Sequence, residues 1–303
     1  MSPKRVVVAG ASGLIGSGLM EALESRGDVV DQLVRHTSRD DLPPHRFGWD
    51  PQFGRLDPAV LEGADAVVVL NGAPVGDKRW TRARKELLVS SRVEPVTTVA
   101  HTVAAMEDPP PVLVTASAMG FYGDRGDDVL PEAEPAGEGF FAKLCAAWEE
   151  ASHPAMRAGV RVVNMRTSLV LSRRGGALKP MLPLFKLGLG GRIGDGKQWW
   201  SWISDQDCVR AFLHVIDTHV HGPVNVASPN PVTNAEFVKA LGSALHRPTV
   251  LPTPRFALVA RLGGELAESI GYVSHRLAPR VLEDSGFTFV HETVDAALAA
   301  AVR

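Results

Sequence analysis

Seven residues near the start of the chain, Gly10-Ala11-Ser12-Gly13-Leu14-Ile15-Gly16, have the make-up of a phosphate cradle. Three glycines spaced by two residues remove side chains where an anion must meet backbone N–H groups. The first allows a tight turn, the second lets a pyrophosphate approach, and the third lets helix pack on strand. The flanks decide between a ligand site and a plain turn. Before the glycines, Arg5-Val6-Val7-Val8 is a β-branched run that predicts a buried strand. After them, Leu14 to Ser25 carries apolar residues at Leu14, Ile15, Leu19, Ala22 and Leu23, a helical spacing. Strand, glycine turn and helix together predict a dinucleotide site. Gly10, Ser12, Gly13, Leu14, Ile15 and Gly16 would hold its phosphates at the helix start.

Two further segments extend that reading. The second apolar run ends Leu33-Val34-Arg35-His36. An acid there would bond ribose hydroxyls and select NAD, whereas an arginine pairs with a 2′-phosphate. With Arg39 near enough to assist, Arg35 favours NADP(H) as the cofactor; the plain alternative is a solvated arginine at a strand end. Asn71, Gly72 and Ala73 follow the third apolar run, small residues that let backbone lie against a nucleotide or simply make a turn. Asp77-Lys78-Arg79-Trp80 and Ser90-Ser91-Arg92, taken alone, are surface polar clusters.

The elements that must position these residues alternate through the first half. Val29–Val34, Ala66–Leu70, Val112–Thr115 and Val160–Met165 are strand-like, and Arg82–Ala105 and Gly139–Ala158 are helical. The alternation predicts an α/β fold, a Rossmann-type doubly wound parallel sheet with ligands at the strands' C-terminal edge. From Leu171 the pattern gives way to glycine-rich loops and Trp199-Trp200-Ser201-Trp202. The expected division is an NADP-binding domain over 1–170, with 205–227 returning to it, and a smaller substrate lobe from 171–204 and 228–303. Trp199, Trp200 and Trp202, with Arg192 nearby, are expected to line the cleft between the two, or else form a hydrophobic cluster steadying the loops.

Composition bounds the partners. A net charge of −2 without a basic run gives no reason to expect nucleic acid or an anionic membrane. No apolar run approaches the ~20 residues of a membrane span. Cys145 and Cys208 read as reduced core residues, and ten histidines lie scattered without metal-ligand spacing. A cytoplasmic protein, monomer or homodimer, without metal and acting on a small molecule, is the expectation.

The spacing GxxGxxG resembles the extended branch of the short-chain dehydrogenase/reductase superfamily. More specific strings follow: Asn71-Gly72-Ala73-Pro74, Ser117-Ala118-Met119-Gly120-Phe121-Tyr122-Gly123, Arg166-Thr167, Gln198-Trp199-Trp200-Ser201-Trp202-Ile203 and Pro279-Arg280-Val281-Leu282. Together they resemble the atypical extended members described as epimerase family proteins of the nucleoside-diphosphate-sugar epimerase type, which carry a C-terminal domain of unknown function. The resemblance implies that Ser117 sits where the superfamily's catalytic serine bonds a substrate oxygen, in a segment one residue longer than usual. It also exposes two departures. Ser204 stands where the subfamily often has histidine. And no Tyr-x-x-x-Lys exists: the matching helix positions hold Phe141 and Cys145. Without that lysine-assisted phenol the usual proton relay is missing. Tyr122 is then the candidate acid, although an unaided tyrosine titrates near ~10. Two functions follow: an NADP-dependent oxidoreductase or epimerase-like enzyme on an unknown small polar substrate, or a non-catalytic NADPH-binding sensor or regulatory protein.

Overall fold

The computed structural model describes residues 3–35 and 42–302. At its centre lie seven parallel strands: β1 (Arg5–Ala9), β2 (Val29–Arg35), β3 (Arg46–Trp49), β4 (Ala66–Val69), β5 (Val112–Ala118), β6 (Arg161–Thr167) and β7 (Gly222–Val226). Their order across the sheet is β7-β6-β5-β4-β1-β2-β3. All pairs are parallel, so every strand ends on one edge. Val6 to Ala9 and Ala66 to Val69 are fully buried, as strands covered on both faces must be.

Helices α1 (Leu14–Ser25), α2 (Arg82–Ala104), α3 (Gly139–Glu150) and α4 (Asp205–Asp217) cover the two faces. Side chains of α2 and α3, among them Leu88, Val96, Leu144 and Trp148, share one core with Val7, Val67 and Leu113. Leu19 and Leu23 of α1 and Phe212 and Val215 of α4 share the other with Val6, Val68 and Val114. Helices α1 and α4 meet closely at Gly18, where a Cβ would stand 2.9 Å from Val209 Cγ2. Residues 205–226 thus give the large sheet a helix and its seventh strand.

The rest of the second half forms a lobe with its own core. Helices α5 (Asn234–Ala244) and α6 (Val294–Val302) pack Phe237, Leu241 and Leu298 around Trp200, Trp202 and Leu171. Thr233 begins α5 with a reciprocal capping box to Glu236. Among the described residues no helix is long and apolar enough to cross a membrane.

Two local expectations are corrected. The helix expected over 139–158 stops at Glu150 and restarts at His153, because Pro154 lacks the N–H a continuous helix needs and suits a first turn. The short strand β3 was not expected, since Arg46-Phe47-Gly48-Trp49 shows no β-branched run.

Candidate cofactor and substrate site

The C-terminal edge gathers the sequence-read residues. Gly10 has φ +84° and lies against the loop after β4, so that a Cβ there would stand 2.8 Å from the Leu70 carbonyl carbon. At Gly16 a Cβ would meet the Gly10 carbonyl oxygen at 2.4 Å. The fold itself demands both glycines. Gly13 is different: its φ is −74°, and the nearest atom to an added Cβ is the Gly10 oxygen at an ordinary 3.4 Å. Nothing in the protein needs that space. Gly13 also caps α1 without a side-chain hydrogen bond, and the first turn holds no acid. The helix start therefore keeps unpaired N–H groups beside an open surface at Ser12 and Gly13.

Arg35 closes β2 with its side chain exposed. Arg39 falls outside the described residues. In the loop after β4, Ala73 N–H donates to Ser91 Oγ at 3.0 Å, and Arg92 donates to the Ala73 carbonyl at 2.9 Å. The Asn71 side-chain oxygen is buried without a partner, an acceptor left for something the chain does not supply. An anion-ready helix start, an open glycine and a partnerless amide on one edge fit a dinucleotide.

Ser117 and Tyr122 are less exposed than the sequence reading requires. Ser117 is buried, and its hydroxyl donates to Glu149 at 2.6 Å. Arg166, paired with Ser117 across β5 and β6, grips the same carboxylate through Nε and Nη2, both at 2.9 Å. Its Nη1 reaches the Tyr122 hydroxyl at 2.9 Å. Tyr122 in turn donates to Asn225 at 2.8 Å, and Asn225 N–H donates to Glu132 at 3.1 Å. This buried network joins β5, α3, β6 and β7. Tyr122 has no exposed surface, and burial pushes its phenol up to about 12 despite the nearby Arg166 charge. The expectation that Tyr122 acts as an acid is thereby corrected: its proton is committed inside the protein.

At the helix positions where a tyrosine and lysine would stand, Cys145 is buried and its thiol is pushed up to about 12 by burial and by Glu149. Phe141 instead stacks edge-on against Trp80 at 4.7 Å, with Phe140 at 4.9 Å from the same ring. The network and this aromatic wall escaped the sequence reading, whose only hint was the Arg166-Thr167 pair.

The tryptophans divide. Trp202 has no exposed surface and donates to the Asn230 carbonyl at 3.0 Å; Trp200 packs edge-on against Phe237 at 5.2 Å. Both belong to the lobe's core, and the cleft-lining expectation for them is corrected. Trp199 is half-buried under Arg276, 4.2 Å from its ring centroid, and borders a cavity of about 310 Å³ with Asn230 and Arg280. Arg192 is exposed on the lobe. Ser204 caps α4 by accepting from Asp207 N–H at 3.0 Å, and the His291 ring lies 3.1 Å from its hydroxyl. No cluster of metal-ligating side chains exists among the described residues.

Comparison with known proteins agrees with this geometry. The family described as NAD dependent epimerase/dehydratase matches residues 6–227, and a domain of unknown function, DUF1731, matches residues 253–301. The epimerase family protein Mb2239 of Mycobacterium bovis is 44% identical over 294 residues, covering 97% of this chain and 96% of its own. A crystal structure of the human epimerase family protein SDR39U1 with NADPH superposes with a TM-score of 0.88 at 30% identity, covering 98% of both chains. The nucleoside-diphosphate sugar epimerase from Corynebacterium glutamicum gives 0.79 at 36% identity, covering 99% of this chain and 58% of that one.

Proposed function

This chain belongs to the NAD dependent epimerase/dehydratase family, and from that premise we propose that it binds NADPH and acts as an oxidoreductase or epimerase-like enzyme on a small polar substrate. One observation carries the reading: an uncapped α1 start beside Gly13, whose missing side chain the protein does not fill. The human relative's structure with NADPH supports the choice of cofactor. Backbone N–H groups of Leu14 and Ile15 would hold the pyrophosphate, Arg35 the 2′-phosphate, and Asn71 to Ala73 the flank of the nucleotide. When bound, the cofactor supplies hydride chemistry. Ser117 would orient the reacting oxygen: its hydroxyl donates a hydrogen bond to Glu149, so the serine oxygen is left to accept one from a substrate hydroxyl. With Phe141 and Cys145 in place of the relay, turnover on generic carbonyls or common sugar nucleotides should be weak. Cytoplasmic residence, as monomer or homodimer, is part of the same proposal.

A second reading, an NADPH-binding sensor or regulator without catalysis, is favoured by the same missing pair and by the sealed Tyr122 hydroxyl. Calorimetry with NADPH and NADH tests the cofactor. A panel of ketones, aldehydes and sugar nucleotides followed by NADPH absorbance, with Ser117→Ala alongside, separates enzyme from sensor. Turnover that depends on Ser117 supports the first; tight NADPH binding with no turnover on any substrate supports the second.

A further inference from the structure

Three cations stand at the wrong end of α2. Its first turn holds Arg82, Arg84 and Lys85 and no acid, where aligned peptide dipoles already present partial positive charge. Arg82 is matched by Glu86 at 3.0 Å and Lys85 by Glu265 at 2.5 Å. Arg84 has no carboxylate partner among the described residues; it donates to the Pro74 carbonyl, and its Nε is buried without any partner. Arg92, two turns on, is 8% exposed. It donates to the carbonyls of Leu88 and Ala73, both at 2.9 Å, and lies 5.2 Å from the Trp148 ring centroid. Two guanidinium groups thus hold adjacent carbonyls of one loop with no negative charge between them. Burial, with Arg84's charge adding to it, lowers Arg92 to about 10. Each guanidinium has five N–H donors, and most remain free for an acceptor.

Buried cations without a counter-charge are costly, and an oxyanion that forks onto guanidinium offsets that cost. We propose that Arg84 and Arg92 form a subsite for a phosphate or carboxylate group of the substrate, in the loop between β4 and α2. This rests on the cofactor-and-substrate reading above and adds the charge of that substrate. The cofactor's own phosphates are assigned to the α1 start and Arg35, on the Gly10 side of the loop. Arg92 lies on the other side, against Cys145 and Trp148 of α3. The Trp80–Phe140–Phe141 wall beside it would take an apolar portion of the same molecule.

The test is calorimetric titration of NADPH-saturated protein with inorganic phosphate and, separately, acetate at constant ionic strength. Saturable binding of at least one is expected, weakened about tenfold or more in both Arg84→Gln and Arg92→Gln. Arg82→Gln, exposed and matched by Glu86, should leave it unchanged, as Arg84→Gln should leave NADPH affinity. The two probes distinguish phosphate from carboxylate. No saturable binding of either, or binding that Arg84→Gln leaves intact, overturns the subsite. So does a loss of NADPH affinity in Arg84→Gln, which would give that guanidinium to the cofactor. If wild-type protein does not bind NADPH, the cofactor reading falls, and the same titration on the bare protein still decides the subsite. Arg84, only half-buried, keeps the test open should the Arg92 variant fail to fold.

Discussion

Gly13 separates what the fold requires from what a ligand requires. Its neighbours Gly10 and Gly16 are pressed against backbone, but a Cβ at Gly13 meets nothing nearer than the Gly10 oxygen at 3.4 Å. Gly13→Val should therefore abolish NADPH binding by calorimetry while the melting temperature falls little, the poorer N-cap costing about 1 kcal/mol at most. Arg35→Ala should reduce NADPH affinity by about tenfold to a hundredfold and leave NADH affinity alone, the worth of a charge-assisted contact to the 2′-phosphate. Tyr122→Phe should instead destabilise the fold by about 1–3 kcal/mol in urea, because Asn225 loses a buried donor, with NADPH affinity unchanged. The glycine loop was legible because its residues are adjacent in sequence. Tyr122 was misread because its partners, Arg166 and Asn225, lie 44 and 103 positions away, and no local pattern reports them.

Among the elements of the large sheet, the parallel strands and their helices followed from apolar runs and from helical spacing, while β3 and the break after Glu150 went unseen. The tryptophan strip shows where type and position mislead. Tryptophans between two lobes suit a cleft wall, yet Trp200 and Trp202 fill the space between α5, α6 and the loops, packed with Phe185, Phe237 and Leu298. Trp202→Ala should cost about 3–5 kcal/mol in denaturant unfolding. NADPH affinity measured on the folded fraction should stay as in wild type; a selective loss of affinity at unchanged stability would return this residue to the cleft.

At the scale of the molecule, lobe and sheet are tied by buried polar groups whose protonation couples to folding. His275 is buried, donates its backbone N–H to the Trp199 carbonyl at 2.9 Å, and has a ring Nε2 without a partner. Burial lowers its imidazole to about 4, against an opposing pull from Asp124. The unfolded chain titrates near ~6.5, so between these values the unfolded state binds more protons than the folded one. Stability should be full above about pH 6.5, decline as pH falls towards about 4, and lose roughly 3 kcal/mol across that window. Urea unfolding of wild type and His275→Gln from pH 7 to 4 checks this: the variant should show the shallower decline.

The seventh strand has a consequence for how the chain is made. β7 pairs with β6, but the 54 residues from 168 to 221 separate them. On a ribosome adding ~5–20 residues per second, the β6 edge would wait roughly 3–10 s before its partner exists. Val162 and Met165, buried in the finished protein, would lie near that open edge meanwhile. Nascent chains stalled near residue 200 should therefore recruit chaperones, and chains released past Val226 should not.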